Sequence, residues 1–136
     1  MTIMVFDSSE KMKEYIENLK KELEEKERLV KRLMRKYEEE VAELEVLKKM
    51  GATIDEKEAT LKIELEGVPL YIKPNPLKVY DLLKRLEKEI EATKANISTL
   101  ESIAEKLADL PGFAVIVDMR DGKVIAAYMD RMSSPA

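Results

Sequence analysis

The side chains best equipped for chemistry in this chain are its clustered cations, its many carboxylates and a handful of serines. Arg28, Lys31, Arg32, Arg35 and Lys36 recur at steps that place them along one face of a helix. Such a face can grip phosphate. The same spacing offers a competing use. Glu24–Arg28 and Glu27–Lys31 stand four residues apart in the favoured order, and Arg35–Glu39 and Lys36–Glu40 stand at that spacing reversed. No aromatic residues are interleaved for base stacking, and no Gly-rich loop accompanies the cluster. The expectation is a solvated, ion-paired face, and nucleic acid is disfavoured as a partner.

Asp118, Asp121 and Asp130 surround a segment that reads as a hairpin, and three carboxylates can hold a hard cation. Their spacing does not fit a calcium-binding loop, and Asp121-Gly122 is already explained as turn chemistry. Ser8 and Ser9 read as helix caps, Ser98 and Ser102 as helix surface, and Ser133 and Ser134 as tail. The chain has no His and no Cys. Imidazole acid–base chemistry, thiolate chemistry, disulfides and the usual zinc sites therefore fall outside its repertoire. No catalytic, cofactor-binding or metal-binding residue is assigned, and no enzyme activity is expected.

The elements that must carry these residues follow from composition and period. Of 136 residues, 45% are hydrophobic and 38% charged. The charged share exceeds the usual ~25%, as long helices with one apolar stripe and charged outer faces require. Net charge is −4, so a polyanion would meet a mildly repulsive molecule. The absence of Gln, with only Asn18, Asn75 and Asn96 as amides and abundant Lys and Glu, points to a thermophilic, archaeal source. No apolar run approaches the ~20 residues of a membrane span, and no basic leader precedes Thr2–Phe6, so a cytoplasmic protein is expected.

Read in order, residues 2–6 form a short strand and 9–50 one long helix, with Asp7 and Glu10 as a capping pair and Gly51 as its stop. Met12, Ile16, Leu19, Leu23, Lys26, Val30, Leu33, Tyr37, Glu40 and Leu44 step alternately by four and three, a heptad seam with charged interruptions at Lys26 and Glu40. Val41 is placed to take over the core position of Glu40. Residues 60–73 read as a β-hairpin turning at Glu66-Gly67, with Pro69 marking an edge or bulged strand. Asn75-Pro76 opens a second helix, 76–110, whose seam runs Val79, Leu83, Leu86, Ile90, Thr93, Ile97, Leu100, Ala104, Leu107. A second hairpin spans 113–130 around Asp121-Gly122, apolar on both faces of both strands, so both faces should be covered. Residues 131–136 read as a frayed tail.

The predicted fold is α+β, mainly α, in a single domain spanning 1–136. It is a long antiparallel two-helix coiled-coil hairpin with small antiparallel β elements at both ends. Residues 2–6 are positioned to add a third strand to the last hairpin. A second apolar stripe, Tyr15, Leu29, Met34, Tyr80, Leu82, Ile103 and Leu110, lies beside the seam. A lone pair of helices has nothing to bury it against. Self-association is the expectation, with a dimer favoured.

Helix, β-hairpin, helix over Glu10–Leu110 resembles, in arrangement, the β-type prefoldin subunit, and the resemblance implies a chaperone that holds clients. Prefoldin helices end in free tips, whereas residues 2–6 and 113–128 here continue both helices into β segments. No functional residue is carried across. The expected function is a non-enzymatic, self-associating scaffold or interaction protein. The alternatives are a prefoldin-like holdase, or a nucleic-acid-associated protein using the basic face of residues 26–36.

Overall fold

The computed structural model describes residues 1–53 and 59–132. In chain order these form β1 (Thr2–Phe6), α1 (Ser9–Lys49), β2 (Ala59–Leu65), β3 (Val68–Pro74), α2 (Pro76–Ala108), β4 (Phe113–Arg120) and β5 (Lys123–Arg131). The two long helices pack antiparallel, with small antiparallel sheets. One sheet has the order β1-β4-β5, so residues 2–6 do supply a third strand, and the other is the β2-β3 pair. The chain falls into two compact units: Met1–Lys26 with the chain from Lys88 onward, and Glu27–Glu87. Each unit holds part of both helices and one sheet.

Local chemistry sets the helix boundaries. Ser8, rather than Asp7, caps α1: its Oγ accepts the Lys11 N–H at 3.2 Å, and Asp7 ion-pairs with Lys11 Nζ at 3.0 Å. The serine hydroxyl sits three residues before that donor, the reach an N-cap needs. At the other end Gly51 adopts φ +95°, its N–H reaches Lys48 O, and Ala52 N–H reaches Leu47 O. This is a Schellman stop, which a side chain at Gly51 would strain. Asn75 Oδ1 accepts the Leu77 N–H at 3.0 Å and caps α2. That helix ends at Ala108, two residues earlier than the pattern implies, because Pro111 disfavours helical backbone at Leu110. The final turn closes instead with the short-range bonds Asp109 N–H to Lys106 O and Leu110 N–H to Leu107 O.

The apolar seam of α1 departs from a strict heptad. Met12, Ile16, Leu23, Val30 and Val41 are buried, as expected. Lys26 is exposed, and the half-buried side chain at that level is Glu27. Leu33 is exposed while Met34 is half-buried. A straight helix lags a seven-residue repeat by about 20° per heptad, so by the third heptad the lag reaches about 60° and the next residue lies nearer the stripe's centre. Met34 in place of Leu33 and Val41 in place of Glu40 are that shift.

In the first unit, Ile90, Ile97, Leu100, Ala104 and Leu107 of α2 are buried together with Met12 and Ile16 of α1 and Val115 and Val117 of β4. Phe6 of β1 packs against Tyr15 of α1 with ring centroids 5.3 Å apart and the rings tilted by 54°. Lys20 and Glu101 tie the two helices across solvent at 3.4 Å. The hydrogen bond and charge of Glu101 hold the Lys20 ammonium above its ordinary pKa. A raised amine pKa contributes fully at neutral pH and fades only as alkali carries the pH up through it.

The turn at Asp121-Gly122 has positive φ at both residues (50° and 76°), the type I′ geometry that matches strand twist. Asn96, buried on α2, fastens it: the side-chain amide donates to Gly122 O, and Val124 N–H donates to Asn96 Oδ1 at 3.2 Å. The tail expectation is corrected in part. Arg131 belongs to β5 and Met132 N–H bonds Gly112 O at 3.0 Å, so residues 131 and 132 are ordered, while 133–136 lie outside the described residues.

Replacing Asn96 with Ala leaves the Gly122 carbonyl and the Val124 N–H, both in part-buried hydrogen bonds, without their partner. Denaturant unfolding should show a loss of about 2 kcal/mol, whereas Asn18→Ala on the exposed face of α1 should change stability by under about 0.5 kcal/mol.

Candidate interaction surfaces

The basic face of α1 is less paired than its spacing suggests. Of the four expected ion pairs one forms, Lys31 to Glu27 at 3.6 Å. Lys36 lies 5.2 Å from the Tyr37 ring centroid. Arg28, Arg32 and Arg35 are exposed, with no carboxylate within 4.0 Å among the described residues. These are three solvated charges on one helix.

The three aspartates near the last hairpin are engaged separately. Asp118 Oδ2 lies 3.5 Å from Arg120, Asp121 sits in the turn, and Asp130 Oδ1 accepts the Arg131 N–H at 2.8 Å. Among the described residues no three acidic side chains converge on a point that could hold a cation.

The stripe beside the seam divides. Tyr15 is partly taken up by Phe6, and Tyr80 is half-buried with Lys84 Nζ 4.8 Å from its ring centroid. Met34 and Ile103 are half-buried. Leu29, Leu82 and Leu110 remain exposed.

The larger open apolar surfaces are on the sheets. In the second unit the β2-β3 register sets Leu61 against Ile72, Ile63 against Leu70 and Leu65 against Val68. Alternation along a strand puts all six on one face. Five of them are exposed, from 46% at Leu70 to 65% at Val68, and Ile72 is half-buried. The opposite face carries Lys62 and Glu64, ion-paired at 3.0 Å, with Tyr71 and Pro69 across from them. The hairpin is therefore amphipathic, and its apolar side is open.

Among the described residues the β1-β4-β5 sheet is covered on one face alone, which corrects the expectation that both would be. Val115 and Val117 are fully buried, whereas Ile116 between them is 44% exposed. Val5, Ile116 and Tyr128 form one row across the three strands, and Ile3, Asp118 and Ala126 form the next. A register shift at Asp118/Met119 leaves Ile125 without an opposite residue, and it too is half exposed. The signal for both surfaces stood in the sequence as strands with apolar residues at every second position. Which side would stay open depended on where the helices pack.

No protein-family model, curated protein or solved structure matches this chain. No helix among the described residues is long and apolar enough to cross a membrane.

Three solvated arginines on one helix of a net-negative chain should not grip a polyanion. Labelled DNA and RNA should show no retention even at about 50 mM salt; retention that falls steeply by about 200 mM would identify a phosphate grip on this face.

Proposed function

We propose that this protein is a non-enzymatic scaffold that works by self-association in the cytoplasm, without a cofactor. The observation that carries the reading is the open face of the β2-β3 hairpin. Six aliphatic side chains lie in three cross-strand pairs, with no charge among them. An isolated two-stranded hairpin is marginal in water and needs a further layer against its apolar side. Fully covering one such side chain is worth about 1.5–3 kcal/mol, so half-covering six favours association strongly. A second copy offers the same uncharged face, and two-fold pairing of identical patches is the commonest way soluble chains assemble.

A holdase would turn the same face to an unfolded client. The two uses part in one measurement, because a scaffold's hairpin is occupied by its own kind before any client is added. Light scattering should give a mass above that of one chain at micromolar concentration, and Ile63→Glu, at a 47% exposed position, should lower that mass with far-UV circular dichroism unchanged. A monomeric wild-type chain that suppresses a client's aggregation at equal stoichiometry would overturn the scaffold in favour of the holdase.

The amide-poor, Lys/Glu-rich composition supports a thermophilic source. Thermal unfolding is expected above the ~45–65 °C range of mesophile domains, and a midpoint inside that range would contradict it.

A further inference from the structure

We infer that the open face of the β1-β4-β5 sheet is a second self-association surface, on which another copy docks the same face with its strands running antiparallel. The inference rests on the reading of the chain as a self-associating scaffold but uses different residues. Its apolar centre is Ile3, Val5, Ile116, Ile125 and Tyr128, exposed between 44% and 65%. Together these offer on the order of 500 Å² per copy and about 1,000 Å² when two copies close, the size at which a specific interface becomes credible. Tyr128 is the aromatic type that anchors such centres. The carboxylate inside the patch, Asp118, has a side chain only 17% exposed and lies beside Arg120.

Charge supplies the orientation. The register continues the open face from Ala114 and Asp130 at one margin to Arg120 and Lys123 at the other. Six residues of β4 separate these margins, about 20 Å at the strand rise. The face thus carries Asp130 at one margin, is apolar in the middle apart from Asp118, and at the other margin holds Lys123 and Arg120, the latter beside Asp118. Two identical faces turned over about an axis across the strands set each Asp130 against the second copy's Arg120 and Lys123. Turned about an axis along the strands, they would set like charge on like. The antiparallel arrangement is therefore favoured, and strands of facing sheets align within about 30°. With the hairpin face also occupied, assembly proceeds beyond a dimer, because one chain then carries two independent self-complementary patches.

Sedimentation velocity on six chains at about 100 µM, a concentration that populates even a weak dimer of ~10–100 µM Kd, tests this. Wild type should exceed a dimer, Ile63→Glu should be a dimer held by the sheet face, and Ile63→Glu with Tyr128→Glu should be a monomer. Tyr128→Glu alone should be a dimer held by the hairpin. In the Ile63→Glu background, Asp130→Lys and Lys123→Glu should each weaken dimerisation by about tenfold, and mixing those two chains should restore it through the opposite charges. A monomeric Ile63→Glu chain would overturn the sheet surface while leaving the hairpin reading intact. Unchanged mass on Ile63→Glu, with a fall on Tyr128→Glu, would do the reverse. Failure of the charge-swapped pair to recover would overturn the antiparallel docking.

Discussion

Two helices laid side by side can cover only one stripe of each other, and a sheet laid on them can be covered on only one of its faces. That geometric limit governs this protein. Its helices spend their covered stripe on Met12, Ile16, Leu23, Val30 and Val41 on one side, and on Leu83, Ile90, Ile97, Leu100, Ala104 and Leu107 on the other. Everything apolar beyond that stripe must find a neighbour elsewhere or remain in water. Phe6 finds Tyr15, and Val115 and Val117 are covered completely. Leu29, Leu82, the β2-β3 face and one face of the three-stranded sheet do not. The leftover surface is a direct consequence of a fold with few layers and many aliphatic residues.

Polar chemistry in this molecule is used for placement. Ser8 and Asn75 stop helices from fraying, and Asn96 fastens a turn to a helix. Lys20 and Glu101 link the two helices, and Asp121-Gly122 sets a hairpin's twist. Asn96 shows how such a role escapes a one-dimensional reading. It immediately precedes the seam residue Ile97 and carries no partner signal in its own neighbourhood, since both groups it binds lie 26 and 28 residues away. The arginines of α1 show the opposite case. Their carboxylate neighbours stand at the right spacing, yet Arg28 and Arg35 extend into water, where an exposed pair gains too little to hold two long side chains in place.

Much of the architecture was legible because local rules and the global fold agree. The element order, the strand at residues 2–6, the Glu66-Gly67 and Asp121-Gly122 turns and the two long helices each follow from period, caps and turn residues acting within a few positions of themselves. The misses occur where that locality ends. A strict seven-residue count puts Leu33 in the seam, but a real helix accumulates lag against that count, and by the third heptad Met34 turns inward instead. Arg131 read as tail, yet pairing with Phe113 across the sheet extends β5 to include it.

The candidate surfaces divide along the same line. Alternation in Leu61, Ile63, Leu65 and in Val68, Leu70, Ile72 determines by itself that those six share a face, and likewise that Val115 and Val117 oppose Ile116. Alternation alone does not state which face a helix will cover, although the Phe113, Val115, Val117, Met119 side of β4 is free of charge and the other side carries Asp118 and Arg120. Tertiary packing buried the valines and left Ile116, Val5 and Tyr128 in a row. It also set Asp130 and the Arg120–Lys123 pair at opposite margins of that row. Sequence fixes what each strand can offer on either side; only the packed chain decides which side is offered.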